Sequence, residues 1–456
     1  MRHPVRPADL RRRRQQPRRQ AAAALALALF LMLGAAIAPV AVQAQPAQEA
    51  GGLPPAGQAE SLQALLARVL ARDPQVRVAQ LLMQATEERR LQARSRLGPS
   101  VGVTVVRGTS QEIEFGRALE RRTDRAEAAL RWNLYNYGND AAELDGAARD
   151  VIAAAEDLRR AREEVVERIA DPYAELLRID GLLPRSADRL ATVRRLVQQV
   201  LRQAALGKVS DADALQAQAS LLDAEIAHEQ TLSEHASARE RLAVLVGGDV
   251  PTVMPVRLSP AAAEANLAQP HPGLVAAAKD RALAARLRVR PVLSLLAPRV
   301  DLDYRQRLSD RTTPQSTNEQ RNGWSLTARW ELPVGGENQA RRAENERRAE
   351  AAEAEAERVL QNVLSELVAL GPRIANAERA VRQIEGQIAQ YTALVRAGEL
   401  QFEAGRRSLS QLVQLHDSRF AAEQRRAEQA HRLLGARLRQ LALSGALLPA
   451  LGLSGD

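Results

Sequence analysis

Two histidines, each beside a glutamate, are the residues most suggestive of metal chemistry in this 456-residue chain. His228 precedes Glu229 and His235 follows Glu234, so the histidines lie two helical turns apart. The zinc proteases instead place two histidines four residues apart on one helix face. The chain contains no cysteine, which excludes thiolate ligands, disulfides and cysteine nucleophiles. We therefore predict no metal site and no cofactor.

The evidence for other catalytic or phosphate-binding groups is equally weak. Gly207-Lys208 lacks the upstream glycine and the following hydroxyl of a nucleotide-binding loop. Asp211 and Asp213 form a carboxylate pair, but acids near a helix start ordinarily cap the helix and favour its dipole. Arginines within 341–348 alternate with glutamates, as on a solvated helix with i, i+4 pairs. We predict no enzyme. A secreted hydrolase stays an alternative that would need a catalytic constellation.

The charge balance argues against a nucleic-acid partner. The chain has 64 basic and 55 acidic residues, for a formal net charge of +9. Eight arginines and one aspartate fall within residues 1–44, which leaves 56 basic and 54 acidic residues elsewhere. A net charge of +2 does not provide the basic surface that binds nucleic acid. Aromatic residues make up only 3%, too few for the core of an ordinary large enzyme.

Residues 1–44 are predicted to be a secretory signal peptide. Arginines are followed by the apolar run Ala21–Ala38, the helix breaker Pro39, and Val42–Ala44 as a cleavage site. A retained membrane anchor is the alternative, because 18 apolar residues nearly span a bilayer. Residues 45–59 are predicted to form an extended leader. No second apolar run of this length follows, so a mature chain that enters a membrane must do so as strands.

The rest of the chain is an internal duplication of one unit. Landmarks recur at an offset of 198 residues, among them Trp132 with Trp330, and Gly207 with Gly405. We predict a first repeat at 60–250, a linker at 251–260, a second repeat at 261–447 and a tail at 448–456.

Each repeat is predicted to begin with a helix, at 61–96 or 261–290, and to continue with two strands. Apolar and polar residues alternate in the strands, as on a sheet whose two faces meet different surroundings. The predicted strands are 101–106, 126–135, 300–305 and 324–332. Polar loops are predicted at 110–124 and 309–322.

A very long helical stretch follows each pair of strands, at 139–206 and at 337–404. Both are rich in Ala, Arg, Glu, Leu and Gln, which are strong helix formers. Each would extend for about 100 Å if continuous. Pro172, Pro184 and Pro372 lie inside, so we expect kinks or a break midway.

A glycine ends each long stretch, and a second helix then completes a tall hairpin. Gly207 and Gly405 suit the left-handed position that closes a helix. The second helices are predicted at 211–246 and 409–444. The residues placed to cap them are Ser210 and Ser408.

Four strands cannot close a barrel, for which about eight strands are the practical minimum. Three copies would supply twelve strands, with the apolar face towards lipid and the polar face lining a lumen. Aromatic residues near the strands would then lie at the membrane interface, although they could instead fill a soluble core. These residues are Trp132, Tyr135, Tyr137, Tyr304, Trp324 and Trp330.

The chain resembles the TolC-like outer-membrane efflux protein family. The resemblance covers nearly all of 60–447 and is carried by the duplicated order and three segments, Trp132–Gly138 (WNLYNYG), Ala205–Ala217 (ALGKVSDADALQA) and Phe402–Leu409 (FEAGRRSL). It implies a mainly α fold with a membrane β part: a homotrimer whose twelve-stranded β-barrel continues into a periplasmic α-helical barrel. It also implies a location in the outer membrane of a Gram-negative bacterium, in contact with outer-membrane lipid.

In that family the hairpin tips meet a periplasmic membrane-fusion (adaptor) protein and form the periplasmic gate. Carried over by position, the residues that dock the adaptor are Gly207, Lys208, Val209, Ser210, Gly405, Arg406, Arg407 and Ser408. The gate residues become Asp213, Phe402, Arg407, Gln411 and Gln414. Phe402 stands where a tyrosine is usual, and the two glutamines stand where better-known members carry acidic rings that favour cations.

The resemblance implies a channel-tunnel that exports substrates delivered by the adaptor and an inner-membrane RND or ABC transporter. Multidrug efflux and type I protein secretion use the same duct, and small-molecule efflux is the commoner role. The alternative is a periplasmic coiled-coil adaptor or structural envelope protein. An adaptor would carry a lipoyl-like β segment, and the sequence contains none.

Overall fold

The structure repeats one order of elements twice. The computed structural model describes residues 62–114, 117–248, 250, 252–256, 267, 269–289, 298–310, 322–330 and 335–453. The first repeat contains α1 (Leu62–Leu70), α2 (Pro74–Ser95), β1 (Ser100–Glu114), β2 (Arg117–Tyr135), α3 (Asn139–Ala205) and α4 (Asp211–Val246). The second contains α5 (Pro272–Leu287), β3 (Arg299–Asp310), β4 (Asn322–Arg329), α6 (Glu337–Glu403), α7 (Leu409–Ser444) and α8 (Leu447–Ala450). This order confirms the predicted mainly helical, duplicated fold. The predicted signal peptide and leader, and half of the predicted linker (251 and 257–260), lie outside the described residues.

The opening helix of the first repeat is divided, so the prediction of one helix at 61–96 was wrong. Helix α1 ends before Asp73, whose Oδ1 accepts a hydrogen bond of 2.8 Å from the backbone N–H of Gln75 and caps α2. Pro74 occupies the first turn of α2, where its missing N–H costs nothing. In the second repeat His271 caps α5 in the same way, with Nδ1 accepting from Leu274 N–H at 3.0 Å. The prediction of a helix over all of 261–290 was also wrong, since 267 and 269–271 are not helical and α5 spans Pro272–Leu287. Residues 261–266, 268 and 290 lie outside the described residues.

The four strands form one antiparallel sheet in the order β1-β2-β3-β4, so the pairing of β2 with β3 joins the repeats. Strands β1, β2 and β3 are longer than predicted, whereas β4 covers 322–329 where 324–332 was predicted; the loop predicted at 110–124 was wrong. Strand β1 pairs with β2 without a register shift from Ser100 opposite Arg131 to Glu114 opposite Arg117. Polar residues continue the ladder because backbone pairing does not require alternating hydrophobicity. Residues 311–321 of the second predicted loop lie outside the described residues.

Each repeat contains one helix of 67 residues, α3 or α6, and both are continuous. Such a helix is about 100 Å long. The break expected at Pro172, Pro184 or Pro372 is absent from these two helices. A proline removes only one backbone hydrogen bond, and packing against neighbouring helices can offset that loss. Among the described residues, none of the helices has a stretch long and apolar enough to cross a bilayer.

Apolar side chains gather in separate clusters along the bundle. The largest joins α1, the middle of α3, and the ends of α4 and α7, and includes Leu66, Tyr173 and Leu242. A second cluster lies near the hairpin tips and joins α3, α4 and α7. The tips are therefore held by their own small core, at a distance along α3 from the main one.

Polar contacts tie the repeats together beside the main cluster. The fully buried Tyr173 hydroxyl donates to Met254 O and accepts from Met254 N–H, both at 2.8 Å. Arg439 of α7 contacts Glu167 of α3 at 2.9 Å and Glu366 of α6 at 2.7 Å. Burial raises the pKa of Glu167, whereas the hydrogen bond from Arg439 lowers the pKa of Glu366. The Arg439 guanidinium thus links α7 to α3 of the first repeat and to α6 of the second.

Candidate functional site: hairpin tips and sheet faces

Both hairpins turn through the same backbone motif. Gly207 and Gly405 have φ of 66° and 68°, in the left-handed region that favours glycine. Lys208 N–H donates to Gln203 O at 2.9 Å, and Arg406 N–H donates to the corresponding Gln401 O at 2.8 Å. These bonds satisfy carbonyls left without partners by the ending helix, as in a Schellman motif.

A serine begins the second helix of each hairpin, as predicted. Ser210 Oγ accepts from Asp213 N–H at 3.2 Å, as an N-cap does, and donates to Asp213 Oδ2 at 2.7 Å. Ser408 Oγ accepts from Gln411 N–H at 3.4 Å. Asp213 and Gln411 therefore occupy equivalent positions of the two repeats, one charged and the other neutral.

The predicted gate residues of the second hairpin surround the first turns of α7. Phe402 packs against the cluster near the tips. Arg407 lies over Gly398 of α6, where a Cβ atom would be 2.8 Å from its Nη1. Gln411 and Gln414 are exposed and lie three residues apart, on one face of α7.

The structure does not bring every predicted site residue together within one chain. Asp213 is exposed on the first hairpin, and Arg407 is half-buried on the second. Among the described contacts, the Asp213 carboxylate bonds only to its own capping serine. The predicted docking residues Gly207, Lys208, Ser210, Gly405, Arg406 and Ser408 are exposed, while Val209 and Arg407 are half-buried. Contact between Asp213 and Arg407 therefore stays a prediction about neighbouring chains.

Ion pairs hold the two hairpins together behind the tips. Arg189 of α3 contacts Asp417 of α7 at 2.7 Å, and its guanidinium lies 5.4 Å from the centre of the Phe420 ring. Asp188 is 3.4 Å from Arg419 of α7. These residues are more than 200 positions apart in the chain, so sequence patterns alone do not connect them.

His416 is a buried residue near the tips that the sequence did not single out. It is 4% exposed, and neither ring nitrogen has a hydrogen-bond partner among the described residues. Glu399 Oε1 is 3.5 Å from Nε2, and Arg419, Asp417 and Asp188 also act on the ring electrostatically. Burial, reinforced by the positive charge of Arg419, lowers the pKa of His416 below its ordinary value of 6.5.

We expect His416 to weaken the folded state in acid. Because its pKa is lowered in the folded chain, the unfolded chain binds the proton first as the pH falls below about 6.5. Stability present at pH 8 should therefore decline towards pH 5, by at most about 1.4 kcal/mol per pH unit for this group. In His416→Leu the decline should be smaller. Thermal unfolding of both proteins at pH 8 and pH 5, followed by circular dichroism, measures the difference. Equal pH dependence in the two proteins would contradict the expectation.

The sheet has one apolar and one polar face, as the alternation predicts. Leu130 of β2 lies between Val101 of β1 and Tyr304 of β3, and Leu302 lies opposite Leu326 of β4. The exposed apolar side chains on this face are Val101, Val103, Val105, Trp132, Leu134, Tyr304, Trp324 and Leu326. No other element of the described chain covers them. An uncovered apolar surface of this kind marks contact with a membrane or a partner.

The apolar face has a polar boundary at the hairpin end of the sheet. There Arg107 of β1 contacts Asp124 of β2 at 3.1 Å, on the same side as Val105. Trp132 marks the helix end, where its indole N–H donates to Leu97 O at 2.9 Å. Of the other predicted anchors, Tyr135 and Tyr137 lie at that end and Trp330 follows β4, whereas Tyr304 and Trp324 pair within the apolar face.

Comparisons with known proteins agree with this geometry. The family model for outer membrane efflux proteins matches residues 65–248. The Campylobacter jejuni CmeC outer membrane channel has a TM-score of 0.71 over 85% of this chain and 86% of that chain, at 11% identity. The outer membrane protein VceC from Vibrio cholerae has 0.71 over 87% and 97%, at 17% identity. The open state of the Neisseria gonorrhoeae MtrE outer membrane channel has 0.69 over 85% and 89%, at 16% identity. No curated protein sequence matches this one.

The fold is that of the outer-membrane channels. The resemblance to the TolC-like outer-membrane efflux protein family is confirmed by the family match over residues 65–248 together with this fold. The same match confirms the predicted location, the outer membrane of a Gram-negative bacterium with a large helical part in the periplasm. The family consists of transport channels rather than enzymes.

Proposed function

We propose that three copies of this chain form an outer-membrane channel-tunnel. It exports substrates that an inner-membrane RND or ABC transporter and a periplasmic adaptor deliver. The four-stranded sheet carries this proposal, because among the described residues nothing pairs with its edges, β1 and β4, or covers its apolar face. The unpaired backbone groups of a long exposed edge strand can pair with other chains, and closing the sheet into a barrel removes such edges. Three sheets joined edge to edge place twelve strands in one closed wall.

The length of the apolar face supports a membrane location for that wall. On β2 the face runs from Ala126 to Leu134, nine residues or about 30 Å along the strand. A strand tilted by 35–45° would raise those residues through about 20–25 Å, close to the apolar band of outer-membrane proteins. The helices leave the sheet at its other boundary, beside Tyr135, and extend into the periplasm.

The hairpin tips lie at the far ends of these helices and take the gate and docking roles. Their exposed glycine turns and basic side chains, Lys208, Arg406 and Arg407, form the surface offered to the adaptor. Asp213 pairs with Arg407 of a neighbouring chain and holds the tips closed. Small-molecule efflux is the commoner role of such ducts, and we propose it here ahead of protein secretion.

Electrical recording tests the proposal. The purified full chain, added to a planar lipid bilayer, should produce discrete conductance steps without an energy source. In cells, it should stay in the outer-membrane fraction after washing with concentrated salt. A chain that salt extracts and that never conducts would instead be a peripheral adaptor or envelope protein.

A further inference from the structure

The polar face of the sheet places charged residues of β2 and β3 opposite one another. Arg131 lies opposite Asp303, and Glu127 lies opposite Arg307. Arg305 lies between these two rows, opposite the small residue Ala129. This face is the one turned away from Leu130 and its apolar neighbours, so it lines the lumen when the sheets close with the apolar face outward.

The ion pairs on this face cover the carboxylates and expose the arginines. Arg131 and Asp303 are 3.1 Å apart, with side chains 63% and 12% exposed. Arg299 and Asp301 are 3.0 Å apart, with side chains 53% and 11% exposed. Water in contact with these pairs therefore meets guanidinium groups.

The third pair has the same asymmetry at a longer distance. Arg305 and Glu127 are 3.9 Å apart, with side chains 60% and 28% exposed. Arg305 therefore keeps most of its side chain exposed to solvent. Arginine is always charged at accessible pH, so titration does not remove this positive charge.

The count of charges points in the same direction. Among the described side chains of this face, the arginines are Arg125, Arg131, Arg299, Arg305, Arg307 and Arg329. The carboxylates are Glu127, Asp301 and Asp303. Among these described side chains, positive groups outnumber negative groups by three. Arg299 and Arg329 lie directly opposite each other, an arrangement that is unfavourable unless both side chains reach water.

We propose that this face makes the passage selective for anions, an inference that rests on the proposed channel function. Exposed arginines in a confined aqueous space raise the local concentration of anions and lower that of cations. The gate does not counteract them, because Gln411 and Gln414 are neutral and the charge of Asp213 is balanced by Arg407. The solutes favoured are small organic anions that carry carboxylate, phosphate or sulfonate groups.

Reversal potentials measure the selectivity directly. The purified full chain in a planar bilayer, under a tenfold KCl gradient, should pass chloride more readily than potassium. The ratio of chloride to potassium permeability should increase as KCl is lowered from about 1 M to about 10 mM, because the Debye length grows from about 3 Å to about 30 Å. This arm of the experiment needs no variant.

Matched substitutions locate the charge responsible. Arg305→Gln should lower the permeability ratio, and Arg305→Glu should lower it by about twofold or more, since three chains change together. Arg122 of β2 is the control, because it is exposed and lies on the opposite face, across from Thr109. Arg122→Gln removes the same charge and should leave the ratio unchanged.

The outcomes separate this inference from the function on which it rests. A chain that conducts but prefers potassium, or whose ratio is the same in wild type and Arg305→Glu, overturns anion selection and leaves the channel standing. A chain that never conducts overturns both. Chloride preference that falls in the Arg305 variants and persists in Arg122→Gln supports the inference.

Discussion

Replacing Leu130 with arginine should prevent the chain from assembling in the outer membrane. Leu130 lies in the middle of the apolar face, between Val101 and Tyr304. An arginine at the middle of the lipid-facing surface of a membrane strand costs about 2–4 kcal/mol. Three copies change together, so the assembly loses about 6–12 kcal/mol, which is comparable to the whole stability of an ordinary domain. The amount of Leu130→Arg protein in isolated outer membranes measures this effect.

The neighbouring residue supplies the control for that experiment. Ala129 points to the polar face, opposite Gly102 and Arg305. Ala129→Arg adds the same side chain one position away, on the side that meets water, and should assemble at close to the wild-type level. Equal membrane amounts of the two variants would contradict the assignment of the faces.

Removing the charge of Asp213 should open the tips and raise the conductance of the channel. Exposed ion pairs contribute about 0.2–1 kcal/mol each. Three pairs around a ring therefore hold the closed state by up to about 3 kcal/mol, which corresponds to about a hundredfold change in the ratio of closed to open channels. Asp213→Asn is the sharpest variant, because asparagine can still bond to the capping Ser210.

Two further variants identify the partner. Arg407→Gln should raise conductance as Asp213→Asn does, and the double variant should add little, since each single change removes the same pair. Asp211→Asn removes a charge from the same helical turn, where the described contacts include no partner for it, and should leave conductance at the wild-type value. Additive effects of the two gate variants would rule out their pairing.

The sequence predicts those element ends at which a specific side chain or glycine sets the backbone. Helices α4 and α7 span 211–246 and 409–444, as predicted, because a capping serine begins each and a glycine follows each. The strand ends were missed for the opposite reason. The alternation of apolar and polar residues stops where the strands no longer have an apolar environment on one face. The backbone pairing of β1 with β2 nevertheless continues to Glu114 and Arg117.

The ion pairs between residues that are distant in the chain could not be predicted from the spacing of residues in the sequence. Arg131 and Asp303 are 172 positions apart and meet only because β2 pairs with β3. The environment of His416 likewise depends on how α3 and α6 pack against α7. A single histidine in an amphipathic helix carries no signal of that burial. The alternation of the strands did predict that one face is polar, and the structure adds that in its three ion pairs the carboxylates are less exposed than the arginines.

Self-association is the central claim, because the described part of one chain contains a sheet of four strands with two open edges. Light scattering coupled to size-exclusion chromatography, on the full chain in detergent and corrected for bound detergent, measures the number of copies directly. The account predicts a particle of three chains that needs detergent to stay in solution. A stable monomer that is soluble in plain buffer would contradict it.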